Sequence, residues 1–266
     1  MPALCSPQTV PPYAALAACY DQAMRHVDYA AWAAHIAALL ARFGCAPRSV
    51  LELACGTGSI GLQLAALGLP VRLGVDGSEA MLRVARQRAR QAARPLRFAR
   101  RDLRRLGDLG RFDAALCLYD SMNYLLALDD LVACLQGVHD VLEPGGLFVF
   151  DVCTELNSRR YFADYRERES GPGFAYERHS HYDPATRIQA NDFVIALDGH
   201  DEPLAEHHRQ RIYPLAEIRA AVERTPLELL GVFDDLSFAA GSEESDRVHF
   251  VTRRPPAAAA AHPTRR

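Results

Sequence analysis

From residue 49 onward, short and almost wholly apolar runs alternate with longer stretches whose apolar positions recur at helical spacing. The runs are SVLELA, VRLGVD, LRFARRD, FDAALCLYD and LFVFDVC, and between them lie SIGLQLAALG, SEAMLRVARQRARQAAR and LDDLVACLQGVHDVL. Continuous apolar strands separated by amphipathic helices predict a parallel sheet covered on both faces. Pro144-Gly145-Gly146 reads as the turn into the fifth strand. Ahead of this region, residues 13–43 are alanine-rich with helical periodicity, and Gly44 is a stop. The first dozen residues, with Pro2, Pro7, Pro11 and Pro12, read as a flexible arm.

After Cys153 the pattern changes. FAYERHSHYD, RIQANDFVIAL and LAEHHRQRIY alternate apolar and polar positions, with turn signals at Asp183-Pro184 and Asp198-Gly199. They predict a small antiparallel insert after the fifth strand. PLAEIRAAVERT is a helix, and LELLGVFDDLSF and DRVHFVTRR complete the main sheet as its last two strands. The tail PPAAAAAHPTRR is low-complexity and expected to be disordered. The expected organisation is therefore an arm and helical segment over residues 1–45 and a core over 46–153. The insert covers 154–213, the end of the core 214–253 and the tail 254–266. The fold class is α/β, a Rossmann-like sheet of seven mostly parallel strands with two appended parts.

Composition narrows the function classes. The 266 residues are 49% hydrophobic and 24% charged, ordinary for a globular protein, with a net charge of −3. That balance gives no general attraction to nucleic acid or anionic membrane. All 30 basic residues are arginine, which removes any lysine base or Schiff base. The seven cysteines show no C-x-x-C spacing, so neither a zinc site nor a disulfide framework is expected. No metal is expected. The start of the chain lacks a basic segment followed by an apolar one, and no run approaches membrane-spanning length, so a cytoplasmic protein is expected.

The chemistry gathers at GTGSIG, where Gly56, Gly58 and Gly61 satisfy G-x-G-x-x-G. Alone this permits several nucleotide cofactors, because glycines simply allow a tight turn and close backbone approach. The carboxylates discriminate. Glu52 lies inside the apolar strand before the turn, where it would repel a pyrophosphate and attract a cation. Asp76 ends the second strand, where it can accept hydrogen bonds from ribose hydroxyls, and Asp102 closes the third, within reach of an adenine amino group. Read separately, Glu52 could pair with a buried arginine, and the two aspartates could cap helices.

Taken in order, ELACGTG, GVDGSEAML, RRDL and LEPGGLFVFDV resemble the motifs of the class I S-adenosylmethionine-dependent methyltransferases. The resemblance runs over residues 13–253, with Ala54 where a glycine is commoner. It implies S-adenosyl-L-methionine as cofactor. The cofactor residues it implies are Glu52, Ala54, Gly56 and Gly58 in the first segment, and Asp76, Gly77, Ser78 and Met81 in the second. Asp102, Leu103, Leu118, Asn123 and Tyr20 complete the set.

CLYDSMNYLL after the fourth strand resembles the subgroup containing antibiotic-sugar N,N-dimethyltransferases, with Tyr124 where the sugar enzymes carry a histidine. That resemblance implies Tyr124, His208 and Tyr20 as candidate catalytic residues, and Tyr13, Tyr119, Asp120 and Arg211 as substrate contacts. Tyr13 and Tyr20-Asp21 resemble the subgroup's helical lid; Trp32 reads as core. EHHRQRIY matches E-x-H-x-Q-R-x-Y at Glu206, His208, Gln210, Arg211 and Tyr213. On a strand His207 and His208 point to opposite faces, so they are not a metal pair. Asn123 and Tyr124 packing the next helix, and a solvated strand around His208, remain the plainer readings.

Ten arginines fall between Arg83 and Arg105. They read as the basic face of one helix and its loop rather than an RNA surface. The expected function is methyl transfer to a small polar acceptor, at nitrogen in preference to oxygen, with a possible homodimer through the insert. The alternatives are an RNA or protein methyltransferase and a non-catalytic cofactor binder.

Overall fold

The computed structural model describes residues 7–257. Strand β1 (Gln8–Thr9) is followed by helices α1 (Tyr20–Ala23) and α2 (Tyr29–Arg42). The core then alternates β2 (Val50–Leu53), α3 (Ser59–Ala66), β3 (Val71–Asp76), α4 (Glu79–Gln91), β4 (Arg97–Arg100), β5 (Phe112–Cys117), α5 (Leu128–Val141) and β6 (Leu142–Cys153). Next come α6 (Glu155–Tyr161), β7 (Asp164–Gly171), β8 (Phe174–Asp183), β9 (Ile188–Leu197) and β10 (Leu204–Arg211), then α7 (Leu215–Glu223), β11 (Glu228–Asp234) and β12 (Arg247–Arg253).

The main sheet has seven strands in the order β11-β12-β6-β5-β2-β3-β4. Its central and β4-side strands are parallel, and β12 and β11 add antiparallel at the other end. Alternation along each strand feeds two cores. Leu51, Leu53, Ala115, Cys117, Phe148 and Phe150 face α5 and α7. Val50, Ala114, Leu116, Leu147 and Val149 face α2 and α3. Glu52 takes the same side as Val50 and therefore lies beneath α3.

The second sheet, in the order β1-β10-β9-β8-β7, is larger than its sequence pattern indicated. β7 reads DYRERESG, and its side chains are exposed or only partly buried, so it lacks the apolar alternation that marks a half-buried strand. The supposed arm supplies β1, pairing Gln8 with Leu204 and Thr9 with Ala205. The single helix expected over 13–43 is broken into a 3₁₀ turn at Leu16–Ala18, α1 and α2. The cause is tertiary: the backbone N–H groups of Tyr13, Ala15 and Leu16 bond the Glu206 side chain instead of a helical carbonyl. Asp28 then restarts the chain as α2 by accepting from Ala31 N. The expected turn at Pro144 is absorbed into β6, with left-handed backbone at Gly145 (φ 85°). Cys5, Pro2 and residues 258–266 of the tail lie outside the described residues.

Candidate active site

A cavity of about 960 Å³ opens at the carboxyl ends of β2, β3, β4 and β5. Its floor is the turn from β2 into α3. Ala54 (φ 49°) and Gly56 (φ 54°) both hold left-handed backbone and line the cavity. A Cβ added at Gly56 would meet no protein atom within 4 Å, so the space over this turn is left for a ligand. Gly58 (φ 76°) caps α3, and a Cβ there would lie 3.4 Å from that of Ala85. Its role is to close the turn and let α4 pack; it does not line the cavity.

The three carboxylates occupy three environments. Asp76 accepts from Gly56 N and Ser78 N, both at 2.8 Å, and borders the cavity. Burial raises its pKa, while those N–H groups pull it back. Glu52 is buried, and among the described residues no arginine pairs with it and its Oε2 has no hydrogen-bond partner. Burial pushes its carboxyl up to about 8, opposed by the nearby N–H of Gly61. Asp102 is half exposed and held low by the Arg104 guanidinium, which it also meets through Arg104 N at 2.9 Å. Gly77, Ser78, Met81, Leu103 and Leu118 line the cavity beside them.

On the β5 side the wall is made of tyrosines. Tyr13, Tyr20, Tyr29, Tyr119 and Tyr124 all face the cavity. The Tyr13 and Tyr124 hydroxyls lie 2.6 Å apart, and the Tyr20 ring meets Tyr13 edge-on with centroids 5.9 Å apart. Tyr124 Oη is 3.0 Å from His208 Nδ1, and His208 Nε2 is 2.9 Å from Glu206 Oε2. A nitrogen facing a carboxylate carries the proton, so Nδ1 is the acceptor from Tyr124. His208 is buried and meets the cavity wall through Tyr124 and the Tyr13 ring. His207 points the other way, to Asp192 at 2.8 Å.

Tyr119 (φ 62°) and Asp120 (φ 60°) make a left-handed corner after β5. Both backbone N–H groups donate to the buried Asp151 carboxylate, at 2.6 and 3.0 Å. Arg247 bonds Asp120 and Asp151 together, and its guanidinium lies 4.8 Å from the Tyr119 ring centroid and 5.1 Å from that of Trp32. Trp32 is buried, as a core residue should be.

Besides Gly58 and the buried His208, three further residues placed in the site by sequence do not line the cavity. Asp120 is committed to Arg247. Arg211 pairs with Glu217 at 3.2 Å and stacks on Tyr213. Asn123 is wholly buried, donating to Arg211 O at 2.8 Å and accepting from Cys153 N at 3.1 Å, so it ties β6 to β10. Conversely, Glu206, Arg247, Asp151 and Tyr29 were not assigned to the site. Glu206 stood in the matched E-x-H-x-Q-R-x-Y segment; Arg247 and Asp151 carried no signal of their own.

Comparison with known proteins fixes the family. A model described as a methyltransferase domain matches residues 50–146. YqeM of Bacillus subtilis (strain 168), a provisionally named methyltransferase, is 30% identical over 245 residues, covering 91% of this chain and 97% of that protein. This chain belongs to the S-adenosylmethionine-dependent methyltransferases. A crystal structure of a methyltransferase from Clostridium acetobutylicum ATCC 824 has the same fold, with a TM-score of 0.77, 23% identity and coverage of 90% of this chain and 98% of that one. The dTDP-3-amino-3,4,6-trideoxy-alpha-D-glucopyranose N,N-dimethyltransferase of Streptomyces venezuelae is 34% identical over 129 residues, 48% of this methyltransferase and 52% of that enzyme. The residues present suit S-adenosylmethionine: an open glycine turn, a carboxylate at the end of β3 and an orphaned buried carboxyl beneath α3 together fit a nucleoside bearing positive charge. Among the described residues no group of histidine, cysteine or carboxylate side chains could hold a metal ion, and no helix is long and apolar enough to cross a membrane.

Proposed function

We propose that this methyltransferase N-methylates a small polar acceptor bound against the tyrosine wall. The observation that carries the reading is the contact between Tyr124, on the cavity surface, and buried His208. S-adenosylmethionine supplies an electrophilic methyl group on a sulfonium, open to in-line displacement. The turn of Ala54 and Gly56, with Asp76, would hold the nucleoside, and Asp102 and Leu103 would border its base. An amine arrives largely as its ammonium form and must shed a proton before it can attack. Tyr124 Oη accepts that proton while its own passes to His208 Nδ1, and Glu206 stabilises the resulting imidazolium. Tyr124 itself stays a neutral phenol, because burial raises its pKa. Tyr13 and Tyr20 shape the acceptor side, and residues 8–20 with the second sheet close it from water.

The similarity to an aminosugar N,N-dimethyltransferase supports nitrogen as the acceptor atom. Six described cysteines are free thiols, which agrees with a reducing, cytoplasmic setting. The insert is the surface through which we infer two copies pair, to be checked by sedimentation.

The function is tested by incubating the enzyme with methyl-labelled S-adenosylmethionine and fractionated cell extract, followed by mass spectrometry. Label in a small amine supports the reading. Label confined to RNA or protein, or no transfer from any fraction, overturns it.

A further inference from the structure

We propose that Glu206 is a positioning residue that couples closure of the amino-terminal segment over the cavity to orientation of His208. The inference rests on the reading of Tyr124 and His208 as the proton-accepting pair. Glu206 is fully buried and touches no part of the cavity. Its Oε1 accepts from Ala15 N at 2.5 Å and Leu16 N at 2.9 Å. Its Oε2 accepts from Tyr13 N at 2.6 Å and faces His208 Nε2 at 2.9 Å. One oxygen therefore serves both the segment and the imidazole. Burial alone would raise its pKa, but these donors outweigh that and hold the carboxyl below its usual value.

The segment it holds lines the cavity. Tyr13 keeps a left-handed backbone (φ 64°), lines the cavity and accepts at its carbonyl from Ser78 Oγ at 3.0 Å. Its hydroxyl meets Tyr124. The segment is tied elsewhere as well, and Ala15, Leu16 and Cys19 pack against Tyr176, Phe193 and Ile195 of the second sheet. On one side β1 pairs with β10; on the other Asp21 bonds Thr57 Oγ1 at 2.6 Å and Arg88 at 3.0 Å. Glu206 is the tie between them, and it sits on the same strand as His208. The groups facing the His208 ring are Glu206, Tyr124, the Tyr13 ring at 4.6 Å and the Phe193 ring at 5.3 Å, so both hydrogen bonds of the imidazole depend on residues that Glu206 or its segment places. With the segment open, three backbone N–H groups leave Glu206 and Tyr13 leaves Tyr124. The imidazole then loses the Tyr13 ring against its own ring, and its Nδ1 partner Tyr124 loses the hydroxyl contact that orients it.

The test uses two variants of the full chain. Glu206→Gln keeps the shape and removes the charge. Ala15→Pro removes one N–H from Glu206 without touching Glu206, His208 or Tyr124. Three quantities are read: amide exchange at residues 13 and 16 in both variants and at 15 in Glu206→Gln, affinity for S-adenosylhomocysteine, and the ring nitrogen shifts of ¹⁵N-labelled His208. Coupling predicts about tenfold faster exchange and several-fold weaker product binding in both variants. It also predicts displaced His208 nitrogen shifts in Ala15→Pro, which a local defect in the segment would not produce. Wild-type exchange in Glu206→Gln, or wild-type imidazole shifts in Ala15→Pro, overturns the proposal. Should one variant fail to fold, the other decides. None of these readouts needs an acceptor, whereas a fully active Tyr124→Phe enzyme would overturn the proton-acceptor reading and leave the exchange and imidazole data to judge the coupling.

Discussion

A Cβ built on Gly61 would overlap Oε2 of Glu52. Gly61 is the third residue of α3, in its first turn, and the missing side chain is what lets a carboxyl fit beneath the helix. Glycine to alanine inside a helix normally gains about 0.5–1 kcal/mol. Gly61→Ala should instead lose stability, because either the carboxyl or the helix must move. It should also weaken S-adenosylhomocysteine binding by about tenfold through the turn that α3 caps. Thermal unfolding and calorimetry check both, and a raised melting temperature with unchanged affinity would refute the packing argument.

Glu52 should make cofactor binding a proton-linked event. In the ligand-free protein its carboxyl ionises at about 8, against an ordinary 4.5. Between those values the unfolded chain releases the proton and the folded chain keeps it. This group's contribution to stability therefore falls as pH rises through that window and is level on either side. A bound cation favours the ionised form, so binding of S-adenosylmethionine at pH 7 should release close to one proton. Calorimetry in two buffers of different ionisation enthalpy measures it. The release should disappear at pH 9.5 and in Glu52→Gln; equal apparent enthalpies in both buffers at pH 7 would remove the cationic role of this site.

Asp76 joins the glycine turn to the start of α4 through Gly56 N and Ser78 N. Asp76→Ala leaves both donors without that acceptor and takes away the carboxylate that would face the ribose. Cofactor affinity should fall at least about tenfold, with Asp76→Asn intermediate because an amide oxygen still accepts one bond. Unchanged affinity in Asp76→Ala would cancel the ribose assignment.

Tyr124→Phe separates proton transfer from binding. The phenyl ring keeps its packing against Tyr13, while the hydroxyl shared with Tyr13 and His208 is lost. With the identified acceptor, kcat should drop about 10²- to 10³-fold and cofactor affinity should stay within about threefold. A change confined to KM would make Tyr124 a binding residue only.

The parts of this molecule that could be read from sequence are those in which one strand or one turn carries its own signal. Glu52 stood out because a carboxylate in VLEL contradicts the burial its neighbours require, and the structure leaves that side chain buried without a partner at Oε2. The glycine turn and Asp76 were legible for the same local reason. What sequence could not show was pairing over distance. Arg247 lies 127 residues from Asp120 and 96 from Asp151, and Glu206 lies 193 from Tyr13. Strand alternation placed His208 on one face but could not say that Tyr13, Phe193 and Tyr124 would cover it. The helical periodicity over residues 13–43 was real. It lost to a buried carboxylate that offered three N–H groups a stronger acceptor.

Arg247 holds the corner after β5, and its removal should show a distinctive pH signature. Its guanidinium neutralises Asp120 and Asp151, which share the end of the sheet, and Asp151 in turn anchors the left-handed backbone of Tyr119 and Asp120. Burial already pushes the Asp120 carboxyl up against the pull of Arg247. Arg247→Ala strands two carboxylates and should cost about 3–5 kcal/mol at pH 8. Without the cation the Asp120 carboxyl is pushed further above its unfolded value, so the variant's stability falls as pH rises and recovers as that carboxyl takes up a proton. The deficit should therefore shrink at pH 5. Denaturant unfolding at the two pH values measures it, with S-adenosylhomocysteine affinity reporting on the Tyr119 corner. A deficit below about 1 kcal/mol, or one that is equal at both pH values, would show that the corner is held by packing against Trp32 rather than by charge.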